Sequence, residues 1–368
     1  MQNIRTIITA LYLSAVLSTS PVAADSHLRD TELPPGFEIE RFTRAPDARS
    51  LSVAPAINTV FIGTRKDRVY ALSFENGKAG KPVVLLSGLA TPHGVAWKDG
   101  WLYVGEQHRI VRYPYKHQGD VISTKPEILT EDIPDNPWHG RRDLAFGPDG
   151  KLYVSIGSPC NVCMTETIEG TIIRMPPTGG KYDVFARGIR NSVGLDFHPV
   201  TGELHFTDNG ADRMGDDLPP EELNRAPVAG LDFGFPYYGG GDARTPKYRH
   251  KRAPKNVTFP VVTFPAHVAP LGLHFYRGNM FPAPYRDAAF VAHHGSWDRS
   301  EPDGYRVALV AFDDQGRAKS WHPFAEGWLR SSGIVRGRPV DVAELPDGSL
   351  LVSDDKRGVV YRITYKTP

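Results

Sequence analysis

An all-β chain folded as a six-bladed β-propeller is what the sequence predicts, and three observations predict it. A short phrase recurs six times, turns rich in glycine and aspartate separate alternating apolar stretches, and no apolar stripe of helical period runs beyond a turn or two. The phrase is a small or polar residue, an apolar residue and another apolar or small one, followed by a turn and an alternating strand. A radial array of short sheets uses such a unit repeatedly and leaves few exposed strand edges.

In order, the copies are Ser52-Val53-Ala54 before Val60–Gly63, Gly94-Val95-Ala96 before Trp101–Gly105, and Asp143-Leu144-Ala145 before Lys151–Ser155. Then come Gly194-Leu195-Asp196 before Glu203–Phe206, Gly272-Leu273-His274 before Ala288–Val291, and Asp341-Val342-Ala343 before Ser349–Val352. Lys98-Asp99-Gly100, Pro148-Asp149-Gly150 and Pro346-Asp347-Gly348 supply turns in which glycine tolerates a positive φ and aspartate caps its own backbone. The starts lie 42, 49, 51, 78 and 69 residues apart, so the first units hold four short strands each and the last two carry loop insertions. Residues 25–368 are expected to form one domain, with the terminal strands completing a shared blade. A β-sandwich or a pair of all-β domains is the rival, but no linker separates two halves.

The chain has 368 residues, 43 Lys and Arg against 42 Asp and Glu, 36 Gly and 32 Pro. A near-neutral balance argues against nucleic-acid binding, which draws its affinity from displaced phosphate counterions. Residues 1–24 read as a signal peptide: Arg5 is their only charge, an apolar run follows, and Val22-Ala23-Ala24 offers small side chains for cleavage. A periplasmic or secreted protein, with no stable membrane span after cleavage, is therefore expected. Cys160 and Cys163 are the only cysteines; a short-loop disulfide is expected ahead of free thiols or a redox role, and Met164 stands where covalent haem attachment needs histidine.

Three loops entering inner strands are rich in polar residues: Trp138-His139-Gly140-Arg141-Arg142, Arg187-Gly188-Ile189-Arg190-Asn191 and Arg336-Gly337-Arg338-Pro339-Val340-Asp341. Clustered guanidinium groups at a channel mouth suit a carboxylate or oxyanion, and a neutral histidine among them could accept a proton near pH 7. On residue type alone His139 could equally bond to backbone, and the arginines could pair with acids of neighbouring blades. Residues 207–224 form an acidic stretch whose oxygens could bind calcium or simply face solvent, and Pro219 before Glu221 and Glu222 suits a short helix start. His293 and His294 end an alternating strand, so their rings should point to opposite faces. The dinucleotide, phosphate-loop, nucleophile-elbow and zinc-protease signatures are missing from the sequence.

His139 eight residues before Gly147-Pro148-Asp149, then Gly188-Ile189-Arg190-Asn191 before Gly194-Leu195, then Asn209-Gly210 opening the acidic stretch, form an ordered set. In that set the chain resembles the soluble glucose and sorbosone dehydrogenases that use pyrroloquinoline quinone (PQQ). The resemblance implies that His139 is the general base and that Arg190 and Asn191 lie beside the quinone, Arg190 stabilising negative charge on it. It further implies that the Gly210 and Ala211 carbonyls ligate a cofactor-binding Ca2+, and that Arg338 contacts the cofactor carboxylates. An external electron acceptor would then reoxidise the cofactor.

The chain departs from the family at Trp138, in place of an aspartate before the histidine, and at Val340, in place of a second arginine. It also has Phe264 for a tryptophan, and His293–Arg299 where a cofactor-gripping lysine is expected; Arg299 or His267 is the candidate to replace that lysine. These changes point to the sorbosone-like branch and an aldose or related aldehyde. A calcium-dependent propeller lactonase and a non-catalytic binding propeller are the competing readings.

Overall fold

The structure, a computed structural model, describes residues 28, 30–122 and 125–366. Residues 1–24, the expected signal peptide, lie outside them. Six sheets, antiparallel except for one short strand added in parallel to blade III, are arranged as blades I to VI, and the innermost strands are Ala48–Ala54, Gly94–Lys98, Leu144–Phe146, Leu195–Phe197, Pro270–Phe275 and Pro339–Glu344. The inner strands follow one another around a ring that closes between Pro339–Glu344 and Ala48–Ala54. Among the described residues no helix is long and apolar enough to cross a membrane.

Strand alternation here separates two cores rather than a core from water. In blade I, Val60 and Ile62 enter the cluster shared with blade VI, while Phe61 between them enters the one shared with blade II. In blade II, Leu102 and Val104 face blade I and Tyr103 faces blade III; in blade VI, Leu350 and Val352 face blade V and Leu351 faces blade I. Each wholly buried side chain of this kind contributes roughly 1.5–3 kcal/mol, and both faces of every blade supply them.

Polar residues of the repeated phrase, at its first position in three copies and at its third in Asp196, also have a physical role. An inner strand has no sheet partner on its channel side, so its N–H groups need other acceptors. Asp341 Oδ2 accepts from Leu51 N at 2.7 Å, Ser52 Oγ from Trp97 N at 2.9 Å, Asp143 Oδ2 from Leu195 N at 3.0 Å and Asp196 Oδ2 from Phe275 N at 2.7 Å. The phrase thus links each of these blades to the next.

Blade VI is closed by the first strand of the chain. Phe37–Arg44 pairs with Val359–Tyr365 in a register running from Phe37 opposite Tyr365 to Arg44 opposite Val359, as expected for a shared terminal blade. The insertion in the 78-residue spacing includes Leu231–Asp232, which pairs with Asp183–Arg187 of blade III. The expected helix start at Pro219 is corrected: Glu221–Ala226 is the third strand of blade IV, held between Leu204–Asp208 and Val262–Phe264. Pairing on both edges outweighs the local Pro-Glu-Glu signal, and Glu221 and Glu222 are buried rather than solvated.

Candidate active site

The loops preceding the inner strands of blades III and IV meet the acidic stretch of blade IV around a cavity of about 330 Å³, lined by His139, Arg190, Asn191, Gly210, Asp212 and His267 among others. Trp138 and Trp297 also line it; they are 51% and 65% exposed and offer aromatic faces at its mouth.

His139 is held through its ring by the Ser158 backbone and through its own carbonyl by Arg142. Its Nδ1 is 2.9 Å from the Ser158 carbonyl oxygen, so that nitrogen carries the proton and donates, leaving the Nε2 lone pair as the acceptor. The residue sits at φ 49°, in the left-handed region that costs a side-chain-bearing residue free energy. Arg142, wholly buried, secures the loop by donating to the carbonyls of Gln107, His139 and Pro134 at 3.0 to 3.2 Å. Gly157 leaves room: a Cβ there would lie 2.5 Å from the His139 Cβ. Burial first, then the positive charges of Arg190, Arg141 and Arg142, lower the His139 pKa to about 3, so the ring is neutral around pH 7.

Arg190 is 4% exposed and fully engaged. It donates to the Asn161 carbonyl at 3.1 Å, the Asn161 Oδ1 at 2.9 Å, the Asn209 carbonyl at 3.1 Å and Asp212 at 2.7 Å. Asp208 fixes the backbone beneath it, accepting from the N–H groups of Arg190 and Asn191 at 2.8 and 2.6 Å. Cys160 and Cys163 form a disulfide that brackets Asn161, so this bridge belongs to the support of Arg190.

Gly210 N donates to Glu221 at 2.6 Å and Ala211 N to the Gly239 carbonyl at 2.7 Å. Gly210 borders the cavity, whereas Ala211 is wholly buried beside it. The carboxyl of Glu221 is raised to about 8 by burial, partly offset by its bond from Gly210.

The other candidates divide. His267, at φ 64°, lines the cavity, and its Nε2 lies 2.8 Å from the Gly215 carbonyl. Arg299 instead ties down the acidic stretch, donating to the Asp216 carbonyl, to the Ala266 carbonyl at 3.4 Å and to Asp217 at 3.4 Å. Arg338 donates to the His294 and Gly295 carbonyls at 3.0 and 2.7 Å. Neither lines the cavity. His293 and His294 do point apart: His293 packs against Phe264 and Trp321, while His294 Nε2 meets Asp355 at 2.9 Å.

Sequence reasoning did not single out Asn161, Asp298 or Trp297 for the site, and it offered Glu221 only as one of the possible oxygen donors of the acidic stretch. Asp212, His267 and Asp298 bring one ligand atom each within 4.8 Å of one another. With Nε2–H donating to Gly215, the His267 Nδ1 is free to ligate. Two carboxylates and the neighbouring Gly210 carbonyl suit a hard cation such as Ca2+, and the buried Arg190 beside a neutral His139 suits an anionic, oxygen-rich partner. The donor set therefore fits a calcium-bound quinone.

A model of the family described as TrAA12-like matches residues 78–226 and 242–366. An uncharacterized protein of Borreliella burgdorferi is 34% identical over 377 aligned positions, spanning 98% of this chain and 97% of that protein. Among solved structures, the holo form of the pyranose dehydrogenase PQQ domain from Coprinopsis cinerea superimposes with a TM-score of 0.75 at 19% identity, covering 91% of this chain and 97% of that one. The calcium structure of a Trichoderma reesei carbohydrate-active enzyme of family AA12 gives 0.77 at 20% identity, covering 92% and 97%. The two superpositions show a shared propeller fold.

Proposed function

Because this chain belongs to the TrAA12-like family, we propose that it is a quinoprotein oxidoreductase that oxidises an aldose, or a sorbosone-like or related aldehyde, outside the cytoplasm. The observation that carries this reading is the neutral His139, with Nδ1 tied to Ser158 and Nε2 open to a cavity shared with Arg190. PQQ, when bound with calcium, supplies a two-electron acceptor for hydride from the substrate carbon.

His139 Nε2 would take the proton from the hydroxyl on the carbon to be oxidised, the anomeric hydroxyl in an aldose, and hold it on the ring. Arg190 would supply fixed positive charge at the cavity wall for the negative charge the bound quinone gains on reduction. Asn191, anchored through its N–H by Asp208, presents its amide beside it. Gly210, Ala211 and Asp212 would hold the calcium from blade IV, with His267 and Asp298 within reach of Asp212. Trp138 and Trp297 narrow the mouth and offer ring faces to a sugar. A separate protein or small molecule would act as the external electron acceptor.

Calorimetric titration of the metal-stripped chain with PQQ, with and without calcium, tests the reading. Calcium-dependent binding near one equivalent, followed by aldose oxidation with an artificial acceptor, is the expected result. An absence of binding in both conditions overturns it.

A further inference from the structure

On a chain whose Lys and Arg nearly equal its Asp and Glu, 43 against 42, cations are ordinarily dispersed among acids, because like charges gathered on one surface repel one another. One segment breaks that rule. Residues 244–255, in the insertion between Leu231–Asp232 and Val262–Phe264, carry Arg244, Lys247, Arg249, Lys251, Arg252 and Lys255, and no Asp or Glu occurs from residue 243 to residue 286. All but Arg244 are exposed. Among the described residues none of the six is joined to an acid by an ion pair, so the counter-charge for this surface has to come from outside the chain.

The segment has a fixed shape. Arg244 folds it back on itself, donating to the carbonyls of Tyr248 and Lys251 at 2.6 and 2.5 Å. Tyr248, 4% exposed, lies beneath, and the ammonium groups of Lys247 and Lys251 stand 5.5 and 5.1 Å from its ring centre. The Tyr248 hydroxyl accepts from Met164 N at 3.1 Å, and Lys247 donates to the Val162 carbonyl at 3.3 Å. Val162 and Met164 belong to the same short loop as Asn161, which holds Arg190 of the cavity. The cations do not line the cavity; they are braced against the loop that supports its wall.

What the surface lacks decides among anions. Among the described residues no large apolar side chain is exposed between Val228 and Phe259, so the apolar anchor of a bilayer-bound helix or a protein interface is missing. At the cavity mouth, however, Trp138 and Trp297 offer exposed ring faces that suit the apolar faces of sugar rings. A sugar chain bearing carboxylates meets both features, its acids going to Lys and Arg and its rings to tryptophan.

We propose that residues 244–255 are a docking surface for an acidic polysaccharide, a chain of uronate sugars whose reducing end passes Trp138 and Trp297 into the cavity. Docking stands on the charge distribution; the course of the reducing end rests on the quinoprotein reading.

The test titrates the full chain, loaded with calcium and PQQ, with a galacturonic acid hexamer and with a neutral glucose hexamer. Wild type should bind the acid hexamer in preference to the neutral one, and added salt should weaken that binding. Combining Arg249→Ser, Lys251→Ser, Arg252→Ser and Lys255→Ser should weaken it about tenfold or more and raise the KM for the acid hexamer by the same factor, with melting temperature and glucose turnover unchanged. Equal affinity of both proteins for the acid hexamer, or of wild type for both hexamers, overturns the surface. So does sedimentation with phosphatidylglycerol vesicles in the absence of hexamer binding, which would assign the cations to a lipid headgroup layer. A loss of binding accompanied by a lower melting temperature and lower glucose turnover would make the cations structural and overturn it as well. Salt-sensitive binding of a hexamer that is not oxidised, beside normal glucose oxidation, overturns the course of the reducing end alone. If wild type binds no PQQ the quinoprotein reading falls, and the same titrations of the unloaded chain decide the docking by themselves.

Discussion

With Nδ1 committed to Ser158, His139 has a single lone pair to offer, and its surroundings decide when that lone pair is available. Burial and three nearby guanidinium groups hold the imidazole far below its ordinary titration range near 6.5. In the protein without cofactor, NMR titration of the ring should therefore show it neutral at every pH above 5; protonation near 6.5 would contradict the burial described here. Replacing His139 by Gln keeps size and polarity but removes the proton acceptor. Turnover should fall at least a hundredfold, in line with the usual contribution of a positioned base, while calorimetric PQQ affinity stays within a few-fold. Near-normal turnover in that variant would remove His139 from the base role.

At the scale of elements, the segment carrying Cys160 and Cys163 acts on Arg190 through Asn161, which contributes two of the four acceptors around that guanidinium. A bridge closing so short a loop contributes only about 2 kcal/mol on the loop-entropy model, small beside the blade cores. The paired substitution Cys160→Ser with Cys163→Ser should thus lower the melting temperature by a few degrees yet reduce kcat about tenfold or more, as Arg190 loses its alignment. Equal kcat in the two proteins would show that Asn161 is held without the bridge. These links explain what was legible in sequence and what was not. Arg190 and Asn191 stand out because the same loop position recurs before successive inner strands, whereas Asn161, Trp297 and Asp298 carry no local pattern and reach the cavity only because blades converge. Glu221 and Glu222 misled for the opposite reason: their neighbours in sequence suggest a helix, while their partners in space are two strands. The inner strands are legible because the phrase recurs, and in four of its copies a Ser or Asp supplies an acceptor for the next blade's N–H groups.

For the whole molecule, buried carboxyl groups set the pH dependence of stability. Glu221 is raised from 4.5 to about 8 by burial, and Glu222 and Asp208 are raised by the same cause. A folded state that holds its protons more tightly than the unfolded chain is favoured below the unfolded value, and loses that advantage as pH climbs through the folded one. Asp355 runs the other way: burial works against its charge, but His294 and Arg49 keep it well below the usual carboxylate range, and its contribution disappears as pH falls through that range. The metal-stripped protein should consequently be most stable in weak acid and melt progressively lower from pH 5 to pH 8. Glu221→Gln should flatten that decline, each pKa unit being worth about 1.4 kcal/mol; an unchanged slope in differential scanning calorimetry would show that Glu221 does not titrate in this window.

The strand Phe37–Arg44, which seals blade VI against Val359–Tyr365, imposes an order on biogenesis. It leaves the ribosome before the other strands of every blade, yet its partner follows all of them. Until that partner is made the ring cannot lock and Phe37–Arg44 stays unpaired, while a product that has lost Phe37–Arg44 leaves the edge of Val359–Tyr365 and the aromatic rings of Phe281 and Phe324 without their cover. Such a chain remains threadable and vulnerable to proteases or strand-to-strand aggregation until its two ends meet.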